Sequence, residues 1–334
     1  MDDMKFLTRC LQLANSARGK TAPNPLVGAV VVHNGTIIGE GFHHRAGQGH
    51  AEVNAIAAVK NKKLLTSSTL YCSLEPCAHH GKTPPCCELI TAHGIPRVVI
   101  GTLDPHDQVD GKGIAHMRAH GVEVVLAQNR KPLQQLNEVF WANIILNRPF
   151  FTLKWAQSAD GFMDADRGAE TPAAAISGPL AGINTHKLRA EVDGILIGAK
   201  TAQLDRPSLT TRHWSGTNPK PIVLCSKNWQ PEKNWLNELE KAPLLVSAEQ
   251  IEGFETLVCD PYDLQSWVPS LLDFGLYHVL VEGGSTILNA FIAAGLNDRT
   301  LRYTSKQELA TGVKAPDYTA FTVHNQLGTD SYER

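Results

Sequence analysis

Four residues in the first hundred could do metal chemistry together: His50, Glu52, Cys77 and Cys86. One imidazole and two thiolates suit zinc, and three protein ligands leave a fourth position open for the water that hydrolysis requires. Zinc lowers the pKa of such a water to about 7. A carboxylate close by must then carry the proton, and Glu52 stands two residues from the imidazole. In mid-helix, residues two apart diverge, so His50 and Glu52 can share a site only if their helix starts at about His50. Cys86 also falls at the predicted start of a helix, where the dipole favours a thiolate. Cys87 competes for the same role, and Cys86 is preferred. His79 and His80 could ligate, or else line the pocket or face solvent. Cys10, Cys72, Cys225 and Cys259 lie in apolar surroundings and read as core.

The elements that must position these residues are legible around them. Apolar residues at helical spacing predict a helix over residues 4–17. A strand over 26–32 and the segment 36–38 flank Asn34-Gly35, a strong hairpin signal. Helices are expected at 50–59, 86–93 (closed by Gly94), 113–120 and 132–146, and strands at 69–74, 97–101 and 122–126. Helices alternating with strands after a hairpin predict a mixed sheet sandwiched between helices. Asn147-Arg148-Pro149 marks the boundary, giving domains 1–147 and 148–334. The second half repeats the alternation, with strands expected at 150–155, 194–197, 221–224, 244–246 and 277–281, and helices at 179–191 and 285–294. Residues 306–334 have weak periodicity, which predicts partial mobility.

Length and composition agree with this division: 334 residues are comfortable for two domains. A formal net charge of -2, with 43% hydrophobic and 19% charged residues, lacks the basic surplus of a nucleic-acid binder. No basic and apolar leader block and no apolar run of about 18 residues is present, so the expectation is no membrane partner. The odd count of 7 cysteines argues against a disulfide framework and for a cytoplasmic protein.

The segments Pro23-Asn24-Pro25-Leu26-Val27-Gly28, Gly39-Glu40-Gly41-Phe42-His43, His50-Ala51-Glu52 and the run from Glu75-Pro76-Cys77 to Pro84-Pro85-Cys86 resemble the bifunctional deaminase/reductase family of riboflavin biosynthesis. Zinc nucleobase deaminases in general share H-x-E followed by P-C-x-x-C. Here eight residues separate Cys77 from Cys86, and that long gap sets the family apart from tRNA adenosine and cytidine deaminases. The resemblance implies an N-terminal cytidine deaminase-like α/β/α sandwich with zinc on His50, Cys77 and Cys86. It also implies Glu52 as proton shuttle, and Asn24, His43, Lys82 and Asp104 as contacts to a pyrimidine ribonucleotide 5′-phosphate. Zinc-activated water would replace the 2-amino group and release ammonia. Chemically, an amide reads a heterocycle's edge and a lysine offers a point charge for phosphate. After Asp104-Pro105 the family usually has Asn, where this chain has His106.

The second half resembles the family's dihydrofolate reductase-like α/β domain, through Leu153-Lys154-Trp155-Ala156, Ser158-Ala159-Asp160-Gly161, Gly194-Ile195-Leu196-Ile197-Gly198 and Val281-Glu282-Gly283-Gly284-Ser285-Thr286. That likeness implies NADPH along Lys154, Ala156, Thr201, Asp205, Ser226, Gly284, Ser285 and Thr286, and substrate against Arg189, Leu209, Arg212 and Glu282. A strand ending in two glycines before a helix suits a cofactor phosphate. The implied reaction opens and reduces the ribose to a ribityl chain, with the proton donor open between Lys154 and Glu282. Ala175-Ile176-Ser177 and Arg206 depart from the usual pattern. The runner-up reading is a deaminase alone, with an inactive reductase-like domain for oligomerisation. An RNA-editing deaminase is a third reading, which the charge disfavours. A homo-oligomer, dimer or tetramer, is expected.

Overall fold

The computed structural model describes residues 3–78, 84–105, 111–168, 171–227, 229 and 232–334. The chain divides into two units, Met1–Asn147 and Arg148–Arg334. Among the described residues, no helix is long and apolar enough to cross a membrane.

The first unit runs α1 (Asp3–Asn15), β1 (Gly28–His33), β2 (Thr36–Phe42), α2 (Ala51–Ala58), β3 (Thr69–Cys72), α3 (Cys86–Ala92), β4 (Arg97–Ile100), α4 (Lys112–Ala119), β5 (Glu123–Leu126), α5 (Lys131–Leu136) and α6 (Glu138–Leu146). Asn34 and Gly35 both take positive φ, 48° and 76°, as the β1–β2 hairpin requires. The sheet order is β2-β1-β3-β4-β5, with β1 antiparallel to both neighbours and β3, β4 and β5 parallel. Strand residues alternate between two faces. Val31, Leu70, Val98 and Ile100 pack with Ala55, Ile90 and Met117 of α2, α3 and α4. Val30, Val32, Tyr71 and Val99 pack with Phe6, Leu7 and Cys10 of α1 and Leu133 of α5. The predicted α/β sandwich is present.

One helix was expected over 132–146, but two form. Asn137 interrupts them at φ -107° and ψ 23°, because its side chain bonds a distant backbone segment that local periodicity does not reveal.

The second unit runs β6 (Phe150–Gln157), β7 (Phe162–Asp164), α7 (Pro179–Arg189), β8 (Gly194–Gly198), α8 (Ala199–Asp205), β9 (Lys220–Leu224), α9 (Lys233–Glu238), β10 (Leu244–Ser247), β11 (Glu255–Val258), α10 (Leu264–Trp267), β12 (His278–Val281), α11 (Ser285–Ala293), β13 (Arg299–Thr304), β14 (Val313–Lys314), β15 (His324–Leu327) and β16 (Asp330–Glu333). Nine strands form one sheet in the order β11-β10-β9-β8-β12-β6-β13-β16-β15. Neighbours are parallel from β11 to β13, and β16 and β15 close the edge antiparallel. Both faces of the parallel strands are covered. Phe151, Leu196 and Val281 pack with Phe291 and Trp267, while Ile195, Ile197 and Val223 pack with Leu188 and Trp235. This explains strands that read as continuous apolar runs.

The closing stretch forms strands that its periodicity did not announce. Arg302 of β13 is paired with Glu333 of β16, and Tyr303 stacks near Tyr332 with ring centroids 5.3 Å apart. These contacts hold a polar hairpin whose burial pattern is too weak to announce a strand. Strands β7, β11, β13 and β14 were not expected either: two are very short, and β11 and β13 carry mixed polar sequence.

Candidate functional site

His50 is the N-cap of α2, at φ -70° and ψ 166°, and its ring caps nothing. That extended backbone lets His50 and Glu52 face one pocket, as the spacing argument required. Cys77 lies in the loop between β3 and α3, and Cys86 opens α3. The His50 Nδ1 lies 3.5 Å from Cys77 Sγ and 3.3 Å from Cys86 Sγ, and all three ligand atoms fall within 4.8 Å of one another. Zinc bonded tetrahedrally at about 2.3 Å to sulfur and 2.0–2.1 Å to nitrogen demands an N···S separation of about 3.5 Å. The donor set fits the metal in type and in spacing. Cys87 instead points into the core and is only 1% exposed, with burial pushing its thiol up to about 11.

Two sulfurs this close compete for a proton. Hydrogen bonds from Cys86 and His50 hold Cys77 below the ordinary thiol range, and the Cys86 backbone N–H adds a contact at 3.3 Å. Cys86 is pushed up by Cys77 and by burial. A dication removes that conflict, because it favours both thiolates. Glu52 is 3% exposed; burial pushes it up to about 7, and charge on Cys77 adds to the effect.

The pocket is about 320 Å³ and is lined by Asn24, His43, His50, Glu52, Glu75, Cys77 and Asp104, with an apolar wall of Val27, Leu74, Phe140 and Ile144. Asn24 Nδ2 donates to His43 Nε2 at 3.1 Å, so His43 carries its proton on Nδ1 and donates to the Gly49 carbonyl at 3.2 Å. Burial lowers the His43 pKa and keeps this neutral form. Both ring nitrogens are therefore engaged within the protein, and His43 orients the Asn24 amide. Glu75, also buried, accepts from the backbone N–H groups of Gly111 and Ile114 at 3.1 and 3.4 Å, which ties the start of α4 to the pocket.

In the second unit a cleft of about 480 Å³ opens at the C-terminal ends of β8, β9 and β12, the usual ligand side of such a sheet. Thr201, Asp205, Ser226, Glu282, Gly283, Gly284, Ser285 and Thr286 all line it. Gly284 caps α11, whose first N–H groups face a region suited to an anion. A smaller pocket of about 170 Å³ shares Met163, Glu282 and Gly283 with the cleft and adds Lys154, Ala156, Ile176 and Ser177. The glycine-capped helix and the size of the cleft fit a dinucleotide phosphate.

Three largely buried charges here lie together. Arg189 grips Glu282 with two bonds of 2.9 Å and donates to the Thr210 carbonyl at 3.1 Å. Burial opposes charge on Glu282, but Arg189 and Lys154 outweigh it and hold the carboxyl down at about 2. Lys154 Nζ lies 4.0 Å from Glu282, and burial lowers the Lys154 pKa.

Two family descriptions match the chain. Residues 1–102 match the cytidine and deoxycytidylate deaminase zinc-binding region, and residues 149–305 match the RibD C-terminal domain. A riboflavin biosynthesis protein RibD from Aquifex aeolicus is 34% identical over 97% of this chain and 93% of its own length. The Escherichia coli protein of that name is 33% identical, covering 94% and 90%. The chain belongs to the RibD family. The crystal structure of a Thermotoga maritima diaminohydroxyphosphoribosylaminopyrimidine deaminase/5-amino-6-(5-phosphoribosylamino)uracil reductase is similar at a TM-score of 0.89 and 32% identity, over 99% of this chain and 97% of that one. An Acinetobacter baumannii RibD gives 0.88 and 28% over the same shares.

Within this RibD-family chain, the structure brings Asn24, His43, His50, Glu52, Cys77 and Asp104 to one pocket. Lys82, His79, His80 and His106 lie outside the described residues. Leu209 is buried at φ 53°, and Arg212 is exposed with a 2.7 Å bond to Ser208. Arg206, also at positive φ, pairs with Glu232 at 2.7 Å. Sequence reasoning missed Arg167, which lines the cleft and pairs with Asp164 at 2.6 Å and with Asp205. It also missed the pocket wall from Phe140 and Ile144, for which the apolar run of α6 was the available signal. Glu75 sat inside a quoted motif without a role.

Proposed function

We propose that this chain is a two-activity enzyme of riboflavin biosynthesis, the first unit deaminating a pyrimidine ribonucleotide 5′-phosphate and the second reducing the product. The observation that carries this reading is the convergence of the His50, Cys77 and Cys86 ligand atoms at the edge of a pocket that His50, Cys77 and buried Glu52 line. Zinc on those three donors supplies Lewis acidity that makes a water acidic near neutral pH. Glu52 takes a proton from the attacking water and returns it to the departing amine, so the 2-amino group of 2,5-diamino-6-(5-phosphoribosylamino)pyrimidin-4(3H)-one leaves as ammonia. Asn24, its amide oriented by His43, reads the heterocycle's edge. Asp104 and Lys82 complete the substrate contacts.

In the second unit, NADPH lies along Ala156, Thr201, Asp205, Ser226 and Gly284–Thr286 and supplies the reducing equivalent. The substrate 5-amino-6-(5-phosphoribosylamino)uracil sits against Glu282, Leu209 and Arg212. Arg189 holds Glu282 ionised, so Glu282 has no proton to give. That leaves Lys154 as the proton donor to the reduced ribose, a choice the sequence left open. Arg189 acts on the substrate through Glu282 and the Thr210 loop. The complete cleft favours this reading over a deaminase with an inert second unit. We include a homo-oligomer, on the exposed apolar side chains of Ile145 and Leu146; the mass in solution tests it.

The experiment is a coupled assay with the diaminopyrimidine nucleotide, with and without NADPH. Ammonia release in both arms, and NADPH oxidation in the second, is expected. Ammonia without NADPH oxidation reduces the proposal to a deaminase, and neither signal overturns it.

A further inference from the structure

We infer that Asn137 is a positioning residue for the deaminase pocket, acting through Asn24; this rests on the substrate role proposed for Asn24. Asn137 sits in the break between α5 and α6 and is 2% exposed. Its Oδ1 accepts from the Leu26 N–H at 2.7 Å and its Nδ2 donates to the Leu26 carbonyl at 2.9 Å, across 111 residues of sequence. One side chain thus meets both backbone groups of Leu26, as a neighbouring strand would.

The two segments it joins both contribute to one pocket. Asn24 and Pro25 immediately precede Leu26, while Phe140 and Ile144 extend from Asn137 along α6, and all four line the cavity. His43 fixes where the Asn24 amide points; Asn137 fixes where the Asn24 backbone stands. The cost of this arrangement is visible in the fold. An otherwise continuous helix gives up its path at Asn137, whose φ and ψ are non-helical, so that the amide can turn toward Leu26. Both side-chain hydrogen bonds of Asn137 go to Leu26, and they address substrate placement rather than metal retention.

The test compares Asn137→Ala, Asn24→Ala and the double variant in the full chain loaded with zinc. Deaminase KM and kcat, zinc content and NADPH-dependent reduction are measured for each. For Asn137→Ala, a KM raised at least about tenfold is expected, with kcat changed less than about threefold, because ground-state placement is what is lost. Zinc content and reduction stay at the parent level. The double variant should be no worse in KM than Asn24→Ala, since residues acting in series are non-additive. A KM for Asn137→Ala within about twofold of the parent overturns the inference, as does a double variant whose losses multiply. If Asn137→Ala loses zinc or fails to fold, Asn137→Asp decides. It keeps the volume and the acceptor for the Leu26 N–H but not the donor, so raised KM with zinc retained supports the inference and unchanged KM overturns it. Should Asn24→Ala leave KM unchanged, the substrate role of Asn24 falls together with this route through it. Should Asn24→Ala raise KM while neither Asn137 variant does, the positioning role of Asn137 alone falls.

Discussion

At the scale of single residues, the proposed metal centre separates candidate donors from bystanders by direction rather than by sequence distance. Cys86 and Cys87 are adjacent, yet one faces His50 and the other faces Ile90 and the core. Cys77→Ser should therefore lose both zinc and deamination, whereas Cys87→Ser should keep zinc; metal analysis of the purified variants checks the pair. Glu52→Gln keeps the donors and removes the proton carrier, so zinc should stay bound while deamination falls by at least about 100-fold. In the second unit, the Arg189–Glu282 pair makes a pH prediction. Glu282 is held at about 2 against an ordinary 4.5, so its stabilisation is complete above about pH 4.5 and is lost as pH falls toward 2. Glu282→Gln leaves Arg189 buried without its partner and should cost about 3–5 kcal/mol near neutral pH. Urea unfolding of parent and variant should show that gap narrow by about pH 3.

At the scale of elements, the start of α2 is the critical joint, because it presents His50 and Glu52 together. Gly41 on β2 lets α2 approach: a methyl group there would lie 2.3 Å from the Ala55 nitrogen and 2.7 Å from the Ala51 carbonyl oxygen. Backbone atoms cannot yield as a side-chain tip can. Asn54 completes the joint by donating to the carbonyls of Phe42 and Gly49 at 2.8 and 3.1 Å. Gly41→Ala should thus push α2 off the strand, costing about 1–3 kcal/mol of overpacking. Lower zinc occupancy and a reduced melting temperature are the expected outcomes. Gly94, which closes α3 at φ 66°, faces only a side-chain methyl of Thr66 at 3.3 Å, so Gly94→Ala should cost stability without loss of zinc.

At the scale of the whole molecule, each unit has its own sheet, core and pocket. Stripping zinc with a chelator should abolish ammonia release while leaving NADPH-dependent reduction of the deaminated nucleotide at the parent rate. Parallel loss of both activities would show that the second unit depends on the metal. Restoring zinc should restore deamination alone.

What the sequence by itself determined was local. Whether a helix begins at His50, whether a hairpin turns at Asn34-Gly35 and whether two glycines precede α11 depend on neighbouring residues, whose backbone preferences act over one or two turns. Residue chemistry extended that reading to the zinc donors, and family likeness extended it to the cofactor cleft. The tertiary structure decided the pairings of large sequence separation: Asn137 with Leu26, Arg189 with Glu282, and β16 with β13. Each joins polar groups that carry no hydrophobic period of their own. Their partners are chosen by which strands lie side by side, and strand order is a property of the folded chain that local spacing does not contain.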